Sequence, residues 1–149
     1  MSEMYMLTPI AGLIGLLIAG VILSSIVKKP GGEGKVAEIA EKIQRGAMVF
    51  MKREFLLISI FAAVIAIALF LFQDEAYGKL QAGAFLFGCI ASSFAGFVGM
   101  YTATKANVRT TIAAKDEGAA AALNVAFFGG SVMGLTVASM GLIGLGTLF

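Results

Sequence analysis

The sequence predicts an all-α transmembrane fold of four helices, and three observations carry that expectation. Of 149 residues, 59% are hydrophobic and 13% charged, with a mean hydropathy of +0.94. A soluble domain has about 45–50% apolar and about 25% charged residues. The few charges are grouped, leaving uncharged runs at 4–27, 55–73, 80–104 and 118–149, of 24, 19, 25 and 32 residues. Each run reaches or approaches the roughly 20 apolar residues that a membrane-crossing helix needs. This composition excludes an ordinary soluble enzyme domain and a disordered chain. With Cys89 alone and a net charge of +2, it also excludes a disulfide scaffold and a basic nucleic-acid binder.

The first span is expected at 5–27. A signal peptide would place positive charge before its apolar core and a small-residue cleavage site after it. Here Glu3 precedes the core, and Lys28 and Lys29 follow it. Pro30-Gly31-Gly32 then breaks the chain. Within the segment 28–54, Val36, Ile39, Ile43, Ala47 and Phe50 recur at spacings of three and four, the apolar face of an amphipathic helix. Glu38 with Lys42 and Glu41 with Arg45 make i,i+4 pairs in the better orientation. Two placements suit this helix equally: at the lipid headgroups, or packed on neighbouring helix ends.

The second and third spans are expected at 55–73 and 80–104, joined by an acidic loop at 74–79, and the fourth at 119–146. The segments 28–54 and 105–118 carry ten of the 11 Lys and Arg residues, and the loop carries only Lys79. By the positive-inside rule both basic segments are cytoplasmic, and the loop and N-terminus are outside.

Small residues recur every fourth position in the later spans. Ala84, Gly88, Ser92 and Gly96 form one stripe, Ala91, Ala95 and Gly99 a second, and Ala126, Gly130, Gly134 and Ala138 a third. Such stripes let membrane helices approach closely. Two on one helix imply neighbours on two sides, hence a larger assembly.

Chemistry within the membrane normally needs ionisable groups, and none of the four spans contains Asp, Glu, Lys, Arg or His. The polar residues there are Ser92, Ser93, Thr102, Asn124, Ser131, Thr136 and Ser139. Interhelical hydrogen bonds or backbone satisfaction explain them better than ion transport. Cys89 reads as a structural thiol, and Gly129-Gly130 as a point of close helix approach. The polar stretch from Thr104 to Lys115 extends the third helix, with Lys105 and Arg109 sharing a face. They could attract an anion, but snorkelling at the membrane surface is the reading favoured by spacing alone.

The segment Gly96-Phe-Val-Gly-Met-Tyr-Thr-Ala-Thr-Lys-Ala-Asn-Val-Arg-Thr-Thr111 resembles the third-helix signature of the membrane-bound, ion-pumping inorganic pyrophosphatases. Ala122-Leu-Asn-Val-Ala-Phe-Phe-Gly-Gly-Ser-Val-Met-Gly-Leu135 resembles that family's next helix. Lys29-Pro-Gly-Gly-Glu-Gly-Lys and Ile43-Gln-Arg-Gly-Ala-Met-Val-Phe resemble its first cytoplasmic connection. Phe128 departs from the pattern, standing where many members carry Arg or another polar residue. The resemblance implies the N-terminal four-helix part of a bundle of about sixteen helices, working as a homodimer in a prokaryotic inner membrane. It further implies Mg2+-dependent hydrolysis of cytoplasmic pyrophosphate coupled to outward pumping of protons or sodium ions, and leaves a K+ requirement open. The family's Asp-rich substrate and metal sites and its ion gate lie on later helices. No position here matches them, so no catalytic, cofactor-binding or metal-binding residue is assigned. The chain alone is expected to be inactive, and Phe149 is expected not to be a natural end. The competing reading is a complete four-helix membrane scaffold or accessory subunit without catalysis. A rotary-ATPase proteolipid or small multidrug exporter would need an intramembrane carboxylate, which the spans lack.

Overall fold

A computed structural model describes residues 2–72 and 78–148, with side chains described for 7–72 and 78–147. It contains α1 (Ser2–Val27), α2 (Lys35–Phe72), α3 (Gly78–Asp116) and α4 (Ala119–Leu148). All four are long and apolar enough to cross a membrane, and there is no strand among the described residues. Most of the expected loop, 74–77, lies outside the described residues, and its last two positions open α3.

The helices form an open layer in the order α1, α4, α3, α2. α4 packs along both α1 and α3, and α2 packs on α3 alone; α1 meets α3 only slightly. Among the described residues α1 and α2 do not touch, nor do α2 and α4. Such a layer cannot hide its faces. The chain exposes 10096 Å², where a compact monomer of its mass would expose about 7,200 Å².

Close packing is concentrated on α4 and depends on small residues. A Cβ added at Gly12 would lie 2.7 Å from the Ser139 carbonyl oxygen, and one at Gly15 would run into the Ser139 hydroxyl. One at Gly99 would meet Met133 Sδ at 2.7 Å, and one at Gly129 the Ala106 Cβ at 2.8 Å. Around these approaches, Ala19 and Ile26 of α1, Ala106 of α3 and Val132 of α4 form a buried cluster. A second cluster joins Ala113 to Ala122 and Val125 across the α3–α4 turn. That turn is minimal. Gly118, at φ +92°, ends α3 in the left-handed region that favours glycine. Its carbonyl already accepts the Ala122 amide of α4 at 3.2 Å.

The small stripes divide into used and unused. Ala95 and Gly99 of the second are buried and Ala91 is half-buried. The third, Ala126, Gly130, Gly134 and Ala138, is exposed throughout. α4 packs instead through Ala122, Val125, Gly129, Val132, Thr136 and Ser139. The sequence does not separate these faces because α4 is apolar all round, so hydropathy marks no inner side. In the first stripe Gly88 and Ser92 are exposed and Ala84 and Gly96 half-buried.

α2 is one uninterrupted helix of 38 residues, about 57 Å long. The amphipathic segment is therefore its first half, and it packs on the extension of α3. Val36, Ile39 and Ile43 line a cleft against Thr104, Asn107 and Thr111. That face thus packs in part on a neighbouring helix end, while Val36, Ile39 and Ile43 stay 43–49% exposed.

Replacing Gly129 with Leu should destabilise the chain by about 1–3 kcal/mol, because backbone and Ala106 both resist displacement. Gly20 has nothing within 4 Å of an added Cβ, so Gly20→Ala should be neutral or stabilising by up to about 1 kcal/mol. Thermal unfolding in detergent, followed through the reactivity of the single thiol Cys89, separates the two outcomes.

Candidate functional site at the basic end

Lys105 and Arg109 lie on the part of α3 that runs past its apolar length. The same strip holds Tyr101, Thr104 and Val108, and it faces the α1–α2 connection on one side and α2 on the other. The helix continues through this polar stretch without a break. Its hydroxyls turn back on the helix: Thr104 Oγ1 donates to the Tyr101 carbonyl at 2.9 Å and Thr110 Oγ1 to that of Ala106 at 2.9 Å.

The last four carbonyls of an α-helix lack partners within it. Arg109 supplies one for α1: its Nη2 donates to the Val27 carbonyl at 2.7 Å and its Nε to that of Lys29 at 3.0 Å. Its Nη1 donates to the Lys105 carbonyl at 2.8 Å. The planar fork thus joins the end of α1 to α3, with its positive charge at the negative end of the α1 dipole. Below it the chain turns through Gly32, at φ +81°, where an added Cβ would meet Ile112 Cδ1 of α3 at 2.7 Å.

Lys105 reaches the other way. Its Nζ donates to Gln44 Oε1 of α2 at 2.8 Å and lies 5.7 Å from the Tyr101 ring centroid, within cation–π range. Tyr101 in turn stacks on Phe97 at 6.3 Å. Between the two cations is a cavity of about 260 Å³, also lined by Glu41 and Gln44. Arg109 directs all three of its donor groups at carbonyls, and Glu41 already pairs with Arg45 at 2.8 Å. This arrangement fastens α1, α2 and α3 together. It goes beyond the snorkelling that spacing favoured.

The other polar residues singled out from sequence are mostly satisfied within their own helices. Thr102 Oγ1 donates to the Val98 carbonyl at 2.7 Å, Thr136 Oγ1 to that of Val132 at 2.7 Å and Ser131 Oγ to that of Phe127 at 2.8 Å. Ser139 is buried against Gly15, and Asn124 is on the exposed side of α4. Ser92, Ser93 and Cys89 line a cleft of about 580 Å³ between α2 and α3. Phe128 is exposed and packs edge-on against Phe127, with centroids 5.9 Å apart. Gln44 and the carbonyls of Val27 and Lys29 escaped sequence reasoning. A carbonyl has no sequence signature, and Gln44 drew notice only as part of the family-like block. Among the described residues no group of three or more His, Cys, Asp or Glu could hold a metal ion.

Arg109→Ala should cost about 1–2 kcal/mol, the low side of the range for charge-assisted bonds because water can reach the freed carbonyls. Arg109→Lys should recover little of it, since an ammonium cannot reproduce the fork. Thermal unfolding measures both. A Gln44/Lys105 double-mutant cycle should give a coupling of about 0.5 kcal/mol. Additive effects would mean that the α2–α3 tie carries no energy.

Residues 13–149 match the family model described as inorganic H+ pyrophosphatase. The chain is 40% identical over 149 residues to the K(+)-insensitive pyrophosphate-energized proton pump of Methanosarcina mazei, covering all of this chain and 22% of that protein. It is 36% identical over 147 residues to pump 2 of the same type from Moorella thermoacetica, covering 99% of this chain and 21% of the relative. It is 42% identical over 134 residues to the K(+)-stimulated pyrophosphate-energized sodium pump of Thermotoga maritima, covering 89% and 18%. The chain thus spans about a fifth of the length of these curated relatives, matching their N-terminal portion. With four membrane-length helices and a match along nearly its whole length, the chain belongs to the inorganic H+ pyrophosphatase family.

Proposed function

We propose that this chain is the N-terminal helical part of a membrane pyrophosphatase, which couples hydrolysis of cytoplasmic pyrophosphate to outward pumping of protons or sodium ions. The observation that carries this reading is a match along nearly the whole chain to relatives named as pyrophosphate-energized pumps, each about five times longer. The open helical layer supports it, since its unused faces suit a larger bundle. In this reading the basic end is cytoplasmic, the N-terminus is outside, the membrane is the prokaryotic inner membrane, and the complete pump works as a homodimer.

The part played by these residues is mechanical. Hydrolysis of a phosphoanhydride on Mg2+ needs carboxylates to hold the metal and direct the attacking water. The described residues offer no such cluster, so the Mg2+ ligands and catalytic groups are assigned to the remaining helices. Arg109 and Lys105 hold the cytoplasmic ends of α1, α2 and α3 in one arrangement. Proton pumps insensitive to K+ and a sodium pump stimulated by K+ match at similar identity. Ion choice and K+ response are therefore also assigned to the rest of the protein.

The test is expression of the full coding region in membrane vesicles. In inverted vesicles, whose cytoplasmic face is accessible, added pyrophosphate and Mg2+ should release phosphate and drive H+ or Na+ into the vesicle lumen. The 149-residue chain alone should release none. Phosphate release by that chain would refute the assignment of catalysis to other helices, and an inactive full-length protein would refute the pump reading.

A further inference from the structure

The two basic segments hold ten Lys and Arg residues and six carboxylates, Glu33, Glu38, Glu41, Glu54, Asp116 and Glu117. Among the described residues only Lys42 and Arg45 are ion-paired. Lys105 and Arg109 differ from the other cations there in being half-buried and in lining the same cavity of about 260 Å³.

Both keep unused donors. An ammonium carries three N–H donors and a guanidinium five. Lys105 gives one to Gln44, and Arg109 gives three to the carbonyls of Val27, Lys29 and Lys105, so two on each have no acceptor among the described residues. Glu41, the carboxylate on the cavity wall, is engaged with Arg45 at 2.8 Å, so it does not neutralise either cation. Gly31 also lines the cavity. A Cβ added there would come within 3.8 Å of Arg109 Nη2, so the missing side chain leaves that edge of the guanidinium uncovered.

We propose that this cavity, between α2, α3 and the α1–α2 connection, is a binding site for a phosphate group, held by Lys105 Nζ and the Nη2 edge of Arg109. The donor set chooses the ligand class. Two positive charges that offer only donors call for an anion with several acceptor oxygens, and an arginine fork beside a lysine point charge suits phosphate. Two sources can present the group at this level. Arg109 holds the carbonyl of Val27, the last residue of the apolar length of α1, so the headgroup of an anionic phospholipid reaches the site from the bilayer. Free phosphate reaches it from water. Either ligand tightens the basic end, because Lys105 is already tied to α2 and Arg109 to α1. The proposal does not depend on the pump reading.

The test uses the full polypeptide purified in detergent, with Mg2+ removed by EDTA, and compares it with Gly31→Leu, Lys105→Gln and Lys105→Arg. Gly31 does not have a positive φ, so leucine there fills the cavity without straining the turn or cutting the bonds of either cation. In one arm inorganic phosphate is titrated at constant ionic strength, set with chloride, and the thermal midpoint is followed. In the other, bound phosphatidylglycerol is counted by native mass spectrometry. Binding about tenfold weaker in Gly31→Leu and Lys105→Gln, and kept in Lys105→Arg, is expected in the arm that holds the true ligand. A phosphate-dependent midpoint lost in those two variants identifies free phosphate. A lipid count lower by one in them identifies the headgroup. The site is overturned if neither arm separates the unsubstituted protein from Gly31→Leu and Lys105→Gln, or if chloride alone reproduces the midpoint shift. Should Gly31→Leu fail to fold, the contrast between Lys105→Gln and Lys105→Arg decides.

Discussion

Everything in this structure depends on how closely α4 approaches α1 and α3. In a bilayer no hydrophobic force drives helices together, because lipid tails are as apolar as the side chains. Association rests on dispersion between well-matched surfaces, which weakens steeply with each fraction of an ångström of separation. Gly12, Gly15, Gly99 and Gly129 remove the side chains that would hold the backbones apart. Ser139, Met133 and Ala106 fill the spaces so made. Between α2 and α3, Gly46, Gly83, Gly88 and Gly96 make no such close approach, and clefts of about 580 and 520 Å³ lie between the two helices. The polar bond from Lys105 to Gln44 joins this looser pair at the basic end.

The cationic residues complete what the glycines begin. Packing of small residues fixes distance but only weakly fixes rotation and axial position. A directional hydrogen bond does both. Arg109 fixes the end of α1 relative to α3 through two carbonyls, at the point where the chain leaves the helix for the Pro30-Gly31-Gly32 turn. The position of α2 is thus tied to that of α1 through α3, although α1 and α2 do not touch among the described residues.

Much of this was legible in the sequence, for identifiable reasons. The gaps between charged residues found all four helices, because desolvating a charge is costly enough to leave a clear mark. The Glu38–Lys42 and Glu41–Arg45 pairs, inferred from spacing, are present at 2.6 and 2.8 Å. What escaped was the choice among equivalent surfaces. Gly129 and Gly130 are adjacent and identical, yet the first is buried against Ala106 and the second is exposed. Only the rotation of α4 decides which is which, and a helix apolar on every side does not encode that rotation locally. The roles of Lys105 and Arg109 escaped because their partners are a side-chain amide 61 residues away and backbone carbonyls 80 and 82 residues away.

The single left-handed residue between α3 and α4 bears on how these helices can move. A turn as short as Gly118 leaves no slack, so neither helix can slide along the other without unwinding a turn. The two therefore behave as one stiff bar, with its pivot fixed at their shared end. The Pro30–Gly34 connection is longer, so α2 is held to α1 less directly than α4 is to α3. In mechanical terms the hairpin is the stator of this unit.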